Sequence, residues 1–174
     1  MLLPGCNKTR EIYLVNIRRS RGYSFEHRLV QRLNSGDWNA RRLGGSSTGL
    51  PDIIAVNNKT GTLLTIEAKS GTGDILYVPA DQIQRCLLVN QMFSYYEKRY
   101  IVLAFKFMRK KRFRRKDQVV YESRQLVEHY KLANVLSKRD EYPVVKCTYD
   151  GTTFAIHRNK CTKLPLPRYQ MPFS

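Results

Sequence analysis

Three side chains that could share one metal-assisted reaction lie on two neighbouring segments of the chain. Asp52 opens the apolar run 52–56, and Glu67 and Lys69 lie at the end of the run that begins at Thr62. Two carboxylates about 4 Å apart repel by about 1 kcal/mol in water, and by more near a protein interior. A divalent cation removes this repulsion, and carboxylate oxygens are ligands that Mg²⁺ prefers. The pattern predicts a hard-metal site in which Lys69 orients an attacking water and offsets developing negative charge.

The two segments predict the strands of one antiparallel hairpin. Residues 57–61, Asn-Asn-Lys-Thr-Gly, form a turn signal between them. Because side chains alternate along a strand, Glu67 and Lys69 share one face and Ile66 and Ala68 the other. Asp52 and Glu67 each lie about six residues from the turn, so they are expected to meet at one end of the sheet. An isolated Glu-x-Lys is usually an exposed surface pair, but its combination with Pro51-Asp52 after a Gly/Ser loop favours a site.

Other segments predict the elements around this hairpin. Ser24 is typical of a helix N-cap, and Gly36 of a C-terminal stop. Between them, apolar residues follow one helical stripe at Phe25, Leu29, Val30 and Leu33. The remaining predictions are a helix over 80–96, a strand over 100–107, a basic hairpin, a strand near 119–121, a helix over about 123–130, a hairpin at Asp150-Gly151 and a tail that wraps the surface or frays. The order indicates a mixed α/β domain.

The charge of the chain narrows the class of partner. Its 31 Lys and Arg against 14 Asp and Glu give a formal charge of +17, which favours a nucleic acid. Eight basic residues and no acidic one lie between Lys106 and Lys116. A membrane surface is the alternative, but no amphipathic helix supports it, and the longest apolar run is too short to cross a bilayer. We expect a soluble, intracellular protein with no membrane and no small-molecule substrate. The four widely spaced cysteines do not support a local zinc knuckle.

Several motifs resemble one nuclease family. Leu50-Pro51-Asp52-Ile53-Ile54 followed by Ile66-Glu67-Ala68-Lys69 resembles the core of PD-(D/E)XK nucleases. The segments 24–33, 42–49, 77–82 and 102–106 are similar to those of archaeal Holliday junction resolvases, and the resemblance covers about residues 18–130. It implies an α/β, restriction-endonuclease-like core with a central mixed β-sheet flanked by helices. An N-terminal arm (1–17) would precede this nuclease domain (18–130), and a C-terminal β-containing extension (131–174) would follow it.

The resemblance also implies roles for individual residues. Glu26, on the first helix, matches a third metal ligand beside Asp52 and Glu67, and Lys69 matches the catalytic lysine. Ser46 or Ser47 matches a loop serine near the scissile phosphate, and Gln82 matches a glutamine that supports the site. The implied cofactor is Mg²⁺, with Mn²⁺ as a possible substitute.

The resemblance further implies a homodimer that makes paired symmetric nicks in branched DNA with four arms. The residues expected to contact DNA are Arg18, Arg19, Arg21, Arg42, Lys106, Arg109, Lys110, Lys111, Arg112, Arg114, Arg115 and Lys116. Two alternatives remain open at this point. One is a sequence- or damage-directed nuclease on duplex DNA, because the basic hairpin is heavily charged for the family. The other is a basic DNA-binding module without catalysis. The presence of all four site residues, Glu26, Asp52, Glu67 and Lys69, argues against it.

Overall fold

A computed structural model describes residues 23–44, 49–116, 118–138 and 141–173 of the chain. No helix among them is long and apolar enough to cross a membrane. Their elements, in chain order, are α1 (23–33), β1 (Asn39–Arg42), β2 (Ile53–Asn57), β3 (Thr62–Gly71), β4 (Ile75–Val78), α2 (Ala80–Met92), β5 (Lys98–Phe107), β6 (Lys110–Arg115), β7 (Gln118–Ser123), β8 (Val127–Leu132), a 3₁₀ helix (Asn134–Lys138), β9 (Val144–Thr148), β10 (Thr153–His157) and β11 (Lys160–Lys163).

Five strands form the central sheet, in the order β1-β2-β3-β5-β8. Strands β3 and β5 run parallel, and the other neighbouring pairs are antiparallel. Parallel neighbours need a long crossover, which β4 and α2 supply here. The mixed sheet with helices on it confirms the predicted α/β fold class.

The hairpin of β2 and β3 has the predicted register. Ile53 pairs with Ile66, and Asn57 pairs with Thr62. The turn is closed by the side chain of Asn57, whose Oδ1 accepts the Thr60 N–H at 3.1 Å. One step beyond Ile53 and Ile66, the same register places Asp52 opposite Glu67.

Helix α1 covers one face of the central sheet. Phe25, Leu29 and Leu33 are at most 2% exposed and pack in one cluster with Ile66 and Ala68. Val30 is partly buried against the same cluster. The predicted apolar stripe is therefore confirmed, and α1 ends at residue 33, close to the predicted end at residue 35.

The opposite face carries α2 and a second, antiparallel sheet in the order β11-β10-β9-β4. Cys86 and Leu87 of α2 pack in one cluster with Leu103 and Phe105 of the central sheet and with residues of β9 and β10. Strands β9 and β10 pair across the predicted turn at 150–151. Helix α2 ends at Met92, earlier than the predicted end at residue 96.

The helix predicted over about 123–130 is wrong. Residues Val127–Leu132 form strand β8, which pairs antiparallel with β5 from Val102–Leu132 to Phe107–Val127. The free edge of β5 offers unpaired backbone groups, and pairing satisfies them. The alternation of a strand also turns Tyr130 towards the core under α1, where it is 7% exposed.

The chain end packs against β8. The Leu132 N–H donates to the Pro167 carbonyl at 2.8 Å, and the Tyr169 N–H donates to the Tyr130 carbonyl at 2.9 Å. Met171 is 1% exposed and belongs to the core under α1. The tail therefore wraps the surface, as one of the two predicted outcomes, and covers part of the core.

Candidate active site

Asp52 and Glu67 face each other where the β2–β3 hairpin is farthest from its turn. Asp52 precedes β2, and its Oδ2 accepts the backbone N–H of Ala68 at 2.8 Å. This bond ties the Asp52 carboxylate to the strand that carries Glu67. Asp52 also lies within hydrogen-bonding reach of the Glu67 carboxyl. The structure thus brings together the two carboxylates that the hairpin pattern placed at one end of the sheet.

Lys69 completes this group on the same face of β3. Its Nζ donates to Glu67 Oε1 at 2.6 Å. The Glu67 side chain is 2% exposed and the Lys69 side chain 24% exposed. A buried carboxylate therefore lies behind a partly accessible ammonium.

The electrostatic balance around Glu67 favours additional positive charge. Burial raises the pKa of the Glu67 carboxyl to about 7; the Lys69 ammonium opposes this rise, and the negative charge of Asp52 adds to it. One lysine therefore does not compensate both carboxylates when both are ionised. A bound divalent cation would supply the missing charge.

Glu26 approaches the same centre from α1. Its carboxylate pairs with the guanidinium of Arg42 on β1. That guanidinium lies 4.6 Å from the ring centroid of Tyr23. Burial raises the pKa of Glu26, the Arg42 hydrogen bond opposes the rise, and the Asp52 charge adds to it. The effect of Asp52 shows that Glu26 belongs to the same electrostatic group.

The donor set fits a hard cation in part. Among the described residues, no three His, Cys, Asp or Glu side chains are arranged as a ready metal cluster. Asp52 and Glu67 face each other as two carboxylate ligands would, whereas Glu26 is turned to Arg42.

Gln82 and Cys86 lie on α2. The Oε1 of Gln82 is buried and has no hydrogen-bond partner among the described residues. The Cys86 side chain is fully buried. Burial raises the pKa of the Cys86 thiol, and the charges of Glu67 and Asp52 add to the rise, so the thiol stays protonated. Sequence reasoning had no signal for the proximity of Cys86 to the carboxylates.

The basic hairpin is present as β6 and β7, paired from Lys110–Ser123 to Arg115–Gln118. Most of its cations are exposed, whereas Lys111 and Arg112 are half-buried. Lys111 pairs with Asp74 at 2.7 Å, and Arg124 pairs with the other oxygen of Asp74 at 2.7 Å. These ion pairs fix the base of the hairpin to the loop after β3. The exposed cations of the hairpin are Arg109, Lys110, Arg114, Arg115 and Lys116.

The inclusion of Lys106 among the exposed DNA contacts is wrong. Lys106 lies in β5, is 1% exposed and pairs with Glu128 at 3.3 Å. Its ammonium also lies 5.2 Å from the centroid of the Phe25 ring. Because β5 continues through this position, the side chain points towards α1 rather than onto a cationic surface.

Five residues predicted at the site or on DNA lie outside the described residues: Ser46, Ser47, Arg18, Arg19 and Arg21.

Comparisons with known proteins identify the family of the chain. Residues 17–141 match the family described as archaeal Holliday junction resolvase (hjc). A crossover junction endodeoxyribonuclease of Sulfolobus islandicus rod-shaped virus 1 is 32% identical over 94 residues, which cover 52% of this chain and 75% of that protein. The structure of Archaeoglobus fulgidus Hjc, a Holliday junction resolvase from an archaeal hyperthermophile, matches 75% of this chain and 85% of its own, with 22% identity and a TM-score of 0.50. The last match supports the restriction-endonuclease-like fold. The chain belongs to the archaeal Holliday junction resolvase family, whose members are metal-dependent nucleases that act on branched DNA.

Proposed function

We propose that this chain resolves four-way DNA junctions by hydrolysing phosphodiesters with Mg²⁺ at the centre formed by Asp52, Glu67 and Lys69. The observation that carries the proposal is the facing pair of carboxylates with one lysine, buried at the end of a hairpin. A site that only binds phosphate has no use for two carboxylates, because they repel it. Mn²⁺ is the expected substitute, since it accepts the same oxygen ligands.

Each residue has a separate task in this proposal. Asp52 and Glu67 hold the cation, and Glu26 joins them when it releases Arg42. When bound, the cation lowers the pKa of a water and stabilises the charge that develops on the phosphate. The released Arg42 is then free to contact a phosphate oxygen with its planar guanidinium.

Lys69 positions the nucleophile and limits the charge that builds up. Its ammonium is the accessible member of the pair with Glu67. From there it can donate a hydrogen bond to an attacking water or to a non-bridging oxygen of the phosphate. Such a donor is worth more in a water-poor site than in bulk solvent. Ser46 or Ser47 and Gln82 are proposed to support the scissile phosphate and the metal site.

The substrate is proposed to lie across the exposed cations. Arg18, Arg19 and Arg21, at the start of the nuclease domain, and the exposed part of the basic hairpin would neutralise phosphates of the junction arms. A hairpin whose base is fixed by Asp74 presents its charges on a rigid support. Rigid placement reduces the entropy lost on binding.

We further propose that the active molecule is a homodimer in which a second copy covers the exposed apolar face of α2. Leu88 is 53% exposed and Met92 76% exposed, one turn apart on that face. Tyr95 lies in the turn that follows α2 and is 94% exposed. A row of exposed apolar side chains of this kind is typical of an interaction surface. A two-fold dimer would present two identical centres to two symmetric strands.

The test compares a synthetic four-way junction with a linear duplex of the same sequence. With Mg²⁺, we expect paired nicks at symmetric positions in the junction and slow or no cutting of the duplex. Replacing Mg²⁺ with EDTA should abolish the nicks. Equal cutting of the two substrates, or fixed cutting of the duplex at one sequence, would contradict junction resolution. Light scattering of the wild type and Met92→Glu tests the dimer, because a buried charge at that face should give monomers.

A further inference from the structure

A pocket lined mainly by cations opens beside α1. It has a volume of about 290 Å³ and lies between α1, the end of β3 and the start of the basic hairpin. Four of its lining residues are cationic and none is acidic; the lining residues are Arg28, Lys106, Arg109 and Lys110 with Thr72, Met108 and Leu126. The pocket therefore combines positive charge with a small apolar wall.

The positive charge of this pocket is only partly neutralised from behind. Glu128 is the carboxylate nearest to Lys106, at 3.3 Å, but it also accepts bonds from Arg32 at 2.9 Å and from Tyr130 at 2.6 Å. One carboxylate thus serves two cations and a hydroxyl. The charge of Arg28 lies close enough to help lower the pKa of Lys106, with burial as the main cause. The field in the pocket is consequently positive.

A hydroxyl without a hydrogen-bond partner lies on β3, opposite Lys106 on β5. Ser70 pairs in register with Lys106 on the neighbouring strand and shares its face with Thr72. Its Oγ is buried and has no hydrogen-bond partner among the described residues. A buried hydroxyl without a partner costs free energy, which an acceptor bound at this place would recover.

The position of the pocket relates it to the catalytic strand. Thr72 follows Lys69 by three residues, which corresponds to about 10 Å along an extended chain. One strand of duplex DNA carries a phosphate about every 3.4 Å along the helix axis, so this distance corresponds to about three phosphates. Arg28 lies two residues after Glu26 on α1, so the helix that carries the proposed third ligand also borders the pocket.

We propose that this pocket binds one backbone phosphate of the DNA strand that is cut, about three nucleotides from the scissile phosphate. The inference rests on the proposed junction-resolving function. Arg28, Arg109 and Lys110 contact the phosphate oxygens, and buried Lys106 supplies charge from behind. Met108 and Leu126 pack against the adjoining deoxyribose. The contact fixes the register of the strand, so that a defined phosphate reaches the catalytic centre.

The test uses metal-free binding to a four-way junction, so that cleavage is not required. The wild type is compared with Arg28→Ala/Arg109→Ala and with Lys160→Ala, an exposed cation on β11 outside the pocket. Both pocket side chains are exposed, so the double variant is expected to fold, which circular dichroism checks. We expect the double variant to bind about 10- to 100-fold more weakly, and its slope of log K against log salt to fall by about one, because one phosphate contact is lost.

A single neutral methylphosphonate, placed at each of the six phosphates on either side of the cleavage position, locates the contact. At one position about three nucleotides away, it should weaken binding of the wild type and of Lys160→Ala but not of the double variant. Two results would overturn the pocket assignment: equal losses of affinity for the double variant and Lys160→Ala, or no position at which the methylphosphonate weakens binding of the wild type but not of the double variant. If the wild type binds and cuts the junction, the proposed function stands whether or not the pocket assignment is overturned. If it neither binds nor cuts, both proposals fail.

Discussion

The ammonium of Lys69 donates a 2.6 Å hydrogen bond to the carboxylate of Glu67, two residues earlier on the same strand. The Glu67 side chain of this pair is 2% exposed and the Lys69 side chain 24% exposed. The pair persists beside a second carboxylate, Asp52, which repels Glu67. The arrangement is costly for the metal-free protein and becomes favourable once a cation is bound.

The first prediction concerns the stability of the metal-free protein. Because the folded-state pKa of Glu67 is raised to about 7 from its ordinary value of 4.5, the ionised form opposes folding. The stability conferred by the neutral form is fully present below about pH 4.5 and is lost as the pH rises through about 7. Glu67→Gln should therefore unfold at higher urea than the wild type in EDTA at pH 8, by about 2 kcal/mol.

The same comparison at pH 4.5 is the internal control, because Glu67 is then neutral in the folded protein. The gain should vanish there, and saturating Mg²⁺ at pH 8 should reverse it. A Glu67→Gln variant that is less stable than the wild type in EDTA at pH 8 would count against a destabilising carboxylate.

The second prediction separates catalysis from binding at Lys69. Lys69→Met removes the donor that faces the phosphate, so the single-turnover nicking rate should fall by about 10²- to 10³-fold. Junction affinity should change by less than about threefold. The matched control is Lys59→Met, which breaks an equally short pair with Asp37 whose two side chains are 74% and 59% exposed. Similar nicking rates for both variants would remove Lys69 from the mechanism.

The third prediction compares a buried ion pair with an exposed one. Lys106 is 1% exposed, and Glu128→Gln removes the carboxylate with which it pairs. The free energy of unfolding should therefore fall by about 3 kcal/mol. Glu141→Gln breaks a pair with Arg158 in which the side chains are 66% and 86% exposed, and should cost at most about 0.5 kcal/mol. Urea denaturation measures both. Equal effects would mean that Lys106 is not held in the core.

The fourth prediction concerns the turn between β9 and β10. Gly151 has φ +83°, and a Cβ there would lie 2.7 Å from the His129 ring. A left-handed backbone and a clash each cost about 1 to 2 kcal/mol, so Gly151→Ala should destabilise by about 3 kcal/mol. At Gly36 a Cβ would meet nothing within 4 Å, and Gly36→Ala should change stability by less than about 1 kcal/mol. Thermal unfolding of the two variants gives the comparison. A Gly151→Ala variant as stable as Gly36→Ala would contradict the turn geometry.

The centre of the fold could be predicted because its signals are local. The alternation of β3 and the turn before it determine that Glu67 and Lys69 share a face and that Asp52 lies opposite Glu67. The amphipathic stripe of α1 likewise gives its buried face. In both cases a short segment contains the information, since period and turn chemistry do not depend on distant residues.

The errors arose where distant segments decide the outcome. The sequence of β8 taken alone favours a helix, but pairing with β5 determines its structure. Lys106 lies in a run of cations, and only the face of β5 shows that it points towards Phe25. The pocket beside α1 requires three separate elements to meet, and a sequence pattern carries no signal for that.

The central claim is tested most directly by the nicking rate of a four-way junction in Mg²⁺ for the wild type, Asp52→Asn and Asp37→Asn. Asp37 is an exposed carboxylate paired with Lys59, so its variant controls for the loss of one negative charge. The account predicts paired nicks at the same rate for the wild type and Asp37→Asn, and a rate lower by at least about 10²-fold for Asp52→Asn with junction binding retained. Nicking by Asp52→Asn at the wild-type rate would contradict it.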